Sequence, residues 1–303
     1  MRTIVAGIAE VATPDPHLRV AVRVAERLGA ELHLVHAYRL PDPVLYPYME
    51  AGTFNPEVAR SVHEGVIAQL QAAVAELRPG VRVHCRAVPV PADSAIVHTA
   101  EEVGAELIVV GATTRGAISR AILGNTAQRV IRAASVPVLV TRAEDDFSLD
   151  RVLTTTDLSE LSAAVHRRGL DLLRELGMTA AAKLRTLLVV GNDMDAPPAL
   201  RQDVLANLME RDLGAFVSGL GPLAADTEPR VRTGESAAGI VAEAEEWDAD
   251  LLLLGTHGRG GMSRFLIGSV AESVLKRAAC DLLLIPAAAL PGAADAPEPA
   301  RER

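Results

Sequence analysis

A chain of 303 residues, 49% of them hydrophobic, is long and apolar enough for two domains with cores of their own, which excludes a disordered chain. Its net charge of −9 argues against broad binding of nucleic acid, which needs a basic surface. No run reaches the ~18 apolar residues of a membrane span, and the first residues do not read as a signal peptide. Aromatics are 3%, so the cores must be built from Ala, Val, Leu and Ile, as in buried parallel sheets covered by helices. Cys85 and Cys280 alone make no disulfide framework or zinc knuckle, so the cytoplasm is the expected location.

Strands and helices alternate along the chain. Thr3–Gly7 reads as a strand, and Pro16–Leu28 as an amphipathic helix ended by Gly29. Glu31–Ala37 is the second strand. A long Pro- and Tyr-rich loop follows, from Arg39 to Pro56, and then a helix from about Glu57 to Leu77. Val81–Val88 is a third strand and Asp93–Val103 a helix with Gly104 behind it. Leu107–Gly111 is the fourth strand, Thr126–Ala134 a helix and Pro137–Thr141 the fifth strand.

The pattern then begins again. Residues 111–140 align without a gap on residues 255–284, and 10 of those positions are identical. Arg2-Thr-Ile-Val-Ala-Gly-Ile8 pairs with Arg151-Val-Leu-Thr-Thr-Thr-Asp157, and the charged stretch 143–149 separates the copies. The expectation is two repeated doubly wound α/β domains, 1–143 and 149–287, each with a five-stranded parallel sheet. Residues 288–303, rich in Ala and Pro, read as a flexible tail.

Ligands of such sheets bind at the carboxyl ends of the strands. There the second copy carries Gly255-Thr-His-Gly258-Arg259-Gly-Gly-Met-Ser-Arg-Phe-Leu-Ile-Gly268-Ser269, between an apolar strand and a helix. Missing side chains let backbone N–H groups approach an anion, and the helix start adds its unpaired donors, so this arrangement suits phosphate. Ser269-Val-Ala-Glu272 and Asn125-Thr-Ala-Gln128 also fit capping boxes. Capping alone explains the first copy but not the glycine frame of the second.

The pattern Gly-x-x-Gly, nine residues, Gly-Ser, together with an Asp closing the opening strand, resembles the ATP-binding signature of the universal stress proteins. The resemblance spans nearly the whole chain, as a tandem member with a Rossmann-like fold of the adenine-nucleotide alpha hydrolase type. It implies that Asp157 binds the ribose and that Thr155 and Val190 contact the adenosine. Gly255, Gly258, Gly268, Ser269 and Val270 would line the phosphate path, with Arg259 nearby. The ligand implied is ATP, with or without magnesium, acting as a switch in a stress-response regulator. Single-copy relatives dimerise through the last strand, so the two copies are expected to form an intramolecular pseudo-dimer, and a further homodimer stays open. In the first copy Ile8, Thr114 and Asn125 stand at the places of Asp157, Gly258 and Ser269, which argues against ATP there.

Other readings stay open. The enzyme reading is a slow ATPase or nucleotidyl transferase; a structural adaptor would bind no nucleotide. No Walker A string, catalytic set or carboxylate cluster for magnesium stands out, so no catalytic residue is assigned. Asp157 could be a turn or N-cap residue before a helix at Ser162. His33, His36, His84 and His98 do not form a convincing metal set, and His33 and His36 fall on opposite faces of their strand. Cys280 and Trp247 read as packing residues. The Tyr38, Tyr46, Tyr48 and Phe54 cluster reads equally as a packed loop or as a lid or partner surface.

Overall fold

A computed structural model describes residues 1–11, 15–38, 56–112, 123–142, 147–191, 204, 207–221, 226–256 and 267–291. The chain divides into two compact units, Met1–Gly111 and Ala112–Arg303.

The first unit runs β1 (Thr3–Ile8), α1 (Pro16–Leu28), β2 (Glu31–Ala37), α2 (Pro56–Leu77), β3 (Val83–Val88), α3 (Ala92–Val103) and β4 (Leu107–Gly111). Its sheet order is β3-β2-β1-β4, all parallel. Helix α1 shows how local sequence sets the element bounds. Asp15 is its N-cap, accepting from His17 N at 2.9 Å, and Pro16 opens the helix where its missing N–H costs nothing. Gly29 closes it in the left-handed region at φ 58°, where a Cβ would be strained. Between these caps Leu18, Val20, Ala21, Val22, Val24 and Ala25 make the buried stripe.

The second unit runs α4 (Asn125–Ala133), β5 (Val138–Thr141), β6 (Arg151–Thr156), α5 (Glu160–Glu175) and β7 (Lys183–Val190). A π-helical turn, Leu208–Leu213, leads into α6 (Gly214–Gly219). There follow β8 (Glu228–Thr233), α7 (Ser236–Glu246), β9 (Leu251–Gly255), α8 (Ser269–Arg277) and β10 (Asp281–Ile285). The sheet order is β5-β10-β9-β6-β7-β8. The second repeat's five strands are mutually parallel, and β5 alone runs antiparallel, on β10. Thus the last strand of the first repeat is counted with the second unit, because it pairs there through Val138, Leu139 and Val140 against Leu284, Leu283 and Leu282.

The strands β9 and β10 are buried on both faces, with Leu251, Leu252, Leu253, Leu282, Leu283, Leu284 and Ile285 at 0% exposure. That is why their sequences are continuous apolar runs rather than alternating ones. Helix α5 reaches the sheet closely at Gly169, where a Cβ would stand 2.5 Å from the Leu253 side chain. In the expected tail, Ala287–Ala289 forms one 3-10 turn, and residues 292–303 lie outside the described residues. The loop 39–55, with Tyr46, Tyr48 and Phe54, lies outside them too.

The helix starts correct one expectation. Gly268 and Gly124, not Ser269 and Asn125, are the N-caps of α8 and α4, and neither helix has a side-chain cap hydrogen bond. Each glycine is fixed by its own N–H, which donates to a carbonyl just past a strand: Gly268 to Thr256 O at 2.7 Å, Gly124 to Ala112 O at 2.5 Å. The helix therefore begins one residue earlier than a capping box would start it. Ser269 becomes its first helical residue, exposed, and forms no cap.

Candidate functional site

Parallel strands end on the same side, and the order β9-β6-β7 puts the carboxyl end of β6 between those of its neighbours. Thr155 and Asp157 therefore stand between Gly255, closing β9, and Val190, closing β7; all four are half-buried. The bond from Gly268 N to Thr256 O ties the start of α8 to the end of β9. Thus Gly255, Gly268, Ser269 and Val270 belong to one corner of the second unit. Gly258 and Arg259, with His257, lie outside the described residues.

The turn after β6 is held by three hydroxyls. Thr156 Oγ1 accepts from Leu158 N at 2.9 Å and from Ser162 Oγ at 3.0 Å. Ser159, not Asp157, is the N-cap of α5, accepting from Ser162 N at 3.1 Å, so the helix starts at Glu160, earlier than Ser162. Asp157 Oδ1 accepts from Ser159 N at 3.0 Å and from Ser159 Oγ at 2.6 Å. The aspartate is thus a turn residue as well as a carboxylate at a strand end. These bonds hold Leu158 at φ 65°, which a side chain rarely adopts. Among the described residues only Arg78 and Asp248 share that feature without being glycine. Backbone strain kept at a strand end is a pointer to function.

The first repeat differs, and in a different place from the one its sequence suggests. Ile4 pairs with Leu107 on β4, while Val152 pairs with Leu251 on β9. Leu107 and Leu251 are equivalent in the gapless alignment of the glycine stretches, so Ile4 matches Val152. Ile8 then matches Thr156, and Ala9 matches Asp157. Pairing Ile8 with Asp157 is out of register by one residue. Ile8 is a core residue, 5% exposed and opposite His36 on β2, so it offers no apolar surface to a ligand. Ala9 is exposed and carries no carboxylate.

The same count matches Gly7 to Thr155 and Glu10 to Leu158. Gly29 matches Gly177, behind α1 and α5, and His17 falls opposite Val165. A Cβ on Gly111 would lie 2.6 Å from the His17 ring, so that imidazole fills the space beside the end of β4. Tyr38, the counterpart of Val190 by β2 and β7 register, approaches His63 Nδ1 with its hydroxyl at 3.2 Å. Thr114 lies outside the described residues.

Sequence reasoning missed the hydroxyl bonds of Thr156, Ser159 and Ser162, although Thr156-Asp-Leu-Ser-Glu-Leu-Ser162 is an evident run of turn-forming side chains. It also missed His166, fully buried on α5, whose pKa burial lowers to about 4. Trp247 packs as expected, with Arg185 Cζ 4.4 Å from its ring centroid. The Cys280 thiol is pushed up to about 12, chiefly by burial, which keeps it unreactive. Among the described residues no helix is long and apolar enough to cross a membrane.

The model of the universal stress protein family matches this chain twice, over residues 1–142 and 148–286. A universal stress protein of Mycolicibacterium smegmatis is 27% identical over 304 residues, covering 93% of this chain and 96% of its own. One from Mycobacterium tuberculosis is 26% identical over 308 residues, covering 94% and 99%. Among solved structures, a functionally unknown protein of Pseudomonas aeruginosa superposes with a TM-score of 0.68 at 20% identity, over 94% of this chain and 92% of its own. A universal stress protein from Archaeoglobus fulgidus gives 0.61 at 16% identity, over 94% and 98%. At these identities the solved structures speak for the fold alone.

Proposed function

The chain belongs to the universal stress protein family, and from that premise we propose that it is an ATP-binding regulator whose nucleotide is held in the second repeat. The observation that carries this reading is the Asp157 turn. A carboxylate at the end of β6, fixed by Ser159, flanks a strained Leu158 and stands between the ends of β7 and β9. Asp157 would accept from the ribose, with Thr155 and Val190 against the adenosine. Gly255, Gly258, Gly268, Ser269 and Val270 would line the phosphates, with Arg259 beside them. The group fits the residues present: α8 has no side-chain cap hydrogen bond, and backbone donors at a helix start favour an anion. Magnesium, where present, would ride on the phosphates.

ATP acts here as a ligand that shifts a population of conformations or assemblies, as far as its contacts differ between them. We also propose that the two repeats form an intramolecular pseudo-dimer through their last strands, a reading supported by the antiparallel β5–β10 pairing. The protein works in the cytoplasm. Native mass spectrometry of freshly purified full-length protein tests the nucleotide reading. The expected spectrum carries one ATP per chain in wild type and none in Asp157→Asn; a chain that stays empty when ATP is supplied would refute it.

A further inference from the structure

Glu31 opens β2, His33 follows two residues on, and His84 is the register partner of His33 across β2 and β3. Residues two apart on a strand share a face, so Glu31 and His33 project together, and the pairing brings His84 beside them. One ligand atom from each of the three lies within 4.8 Å of the others. His84 Nε2 is 3.6 Å from Glu31 Oε2. The two imidazoles stack with centroids 4.5 Å apart and planes 20° from parallel.

Two imidazole nitrogens and a carboxylate oxygen are a donor set for zinc, which takes three protein ligands plus water where one position stays open. Donors ~2.1 Å from a tetrahedral zinc stand about 3.4 Å from one another. The Glu31–His84 separation of 3.6 Å is close to that, and the His33 ring turns out of its stack on His84 to bring a nitrogen to the same ion. The surroundings orient the ligands. Arg82 Nη1 holds Glu31 Oε1 at 3.0 Å, which leaves Oε2 toward His84. Arg86, two residues along β3 from His84, is neutralised by Glu102 through bonds of 2.6 and 2.9 Å.

The second repeat shows what the same place looks like without such a set. Arg185 and Glu228 are the register partners of β7 and β8 that match His33 and His84. They form an ion pair at 2.6 Å, and Arg185 Nη1 also reaches Glu243 at 2.6 Å. An arginine and a glutamate neutralise each other; two imidazoles do not. The histidines lie near the amino ends of their strands, at the end opposite to a nucleotide pocket.

We propose that Glu31, His33 and His84 form a zinc site in the first repeat, with a remaining position open to water. Its test is calorimetric titration of chelator-treated full-length protein with zinc chloride, without nucleotide, beside His84→Ala, His33→Ala and a His98→Ala control. Wild type and His98→Ala should bind one zinc at this site. His84→Ala, at an exposed position, should stay folded by circular dichroism. It should lose more affinity than the ~10–100-fold that disturbing an outer-shell partner costs. Absence of zinc binding in wild type, or equal binding by folded His84→Ala, would overturn the proposal. Neither result bears on the ATP reading, which is measured separately and at the other end of the strands.

Discussion

Ser159 Oγ donates to Asp157 Oδ1 across 2.6 Å, and Ser159 is itself the N-cap of α5. The residue proposed to bind the ribose therefore also supports the helix that follows it. The two roles separate by substitution. Asp157→Asn keeps an oxygen for Ser159 but loses the charge, and a hydrogen bond to a charged group contributes ~1.5–3 kcal/mol. ATP affinity should fall roughly 10–150-fold, since 1.4 kcal/mol is tenfold, with the melting temperature little changed. Asp157→Ala should lose the same affinity and also up to ~1 kcal/mol of stability, through a less well held cap. Calorimetry and thermal unfolding of both variants check this. Unchanged affinity in folded Asp157→Asn removes the residue from the site.

His166 should make the protein acid-sensitive. Its Nδ1 meets Ser162 O at 2.8 Å, while Nε2 is buried with no hydrogen-bond partner and the ring lies edge-on to Phe216. Protonation would bury an unpaired N–H and a charge, which is why burial lowers its pKa from 6.5 to about 4. Above pH 6.5 the ring is neutral in both folded and unfolded chains and contributes nothing to the pH dependence. As the pH falls from 6.5 toward about 4 only the unfolded chain takes the proton, so stability drops by ~1.4 kcal/mol per pH unit. Between about pH 7 and pH 5 wild type should lose ~2 kcal/mol that His166→Leu does not lose. Parallel losses in both proteins, by urea unfolding, would contradict the assignment.

The first repeat should resist conversion into an ATP site. Restoring the carboxylate and the hydroxyl, as Ala9→Asp with Asn125→Ser, leaves the His17 ring against Gly111. Nucleotide bound per chain should stay at the wild-type value in that double variant. A second site of comparable affinity would mean that side chains at the strand end, and not the filled space beside β4, keep the first repeat empty.

Glu243 should be a stability residue of the second unit. It is 2% exposed, 2.6 Å from Arg185 and 3.2 Å from Arg232. Removing one partner of a buried ion pair strands the other's charge, at about 3–5 kcal/mol. Glu228 still meets Arg185, so Glu243→Ala should fall near the lower figure. Chemical denaturation of the variant measures it, and a loss under ~1 kcal/mol would make the pair no different from a surface one.

Much of this architecture was legible because its punctuation is local. Pro16 and Gly29 bound α1, Gly104 ends α3, and β2 and β4 have the limits their apolar runs suggest. The turn proposed to hold nucleotide was legible as a position, Asp157, but not as a machine. Its Thr156, Ser159 and Ser162 bonds depend on a left-handed Leu158 that no propensity foretells. The pairing of Ile8 with Asp157 failed because the arginines at 2 and 151 align in sequence, whereas strand register is fixed by β4 and β9. The Glu31–His33–His84 group was hidden for the same reason. His33 and His84 are 51 residues apart, and only the β2–β3 register makes them neighbours. The capping boxes misled because Gly124 and Gly268 are held by carbonyls beyond β4 and β9, an interaction with no signature in the helix sequence.

One repeat of the two is proposed to hold nucleotide, and a direct count tests it. Purified full-length protein, equilibrated with ATP and stripped of excess, is denatured with acid, and the released adenine nucleotide is counted per chain. Wild type should release one per chain, Ala9→Asp with Asn125→Ser also one, and Asp157→Asn close to none. A ratio near two in wild type, or an undiminished ratio in Asp157→Asn, would contradict it.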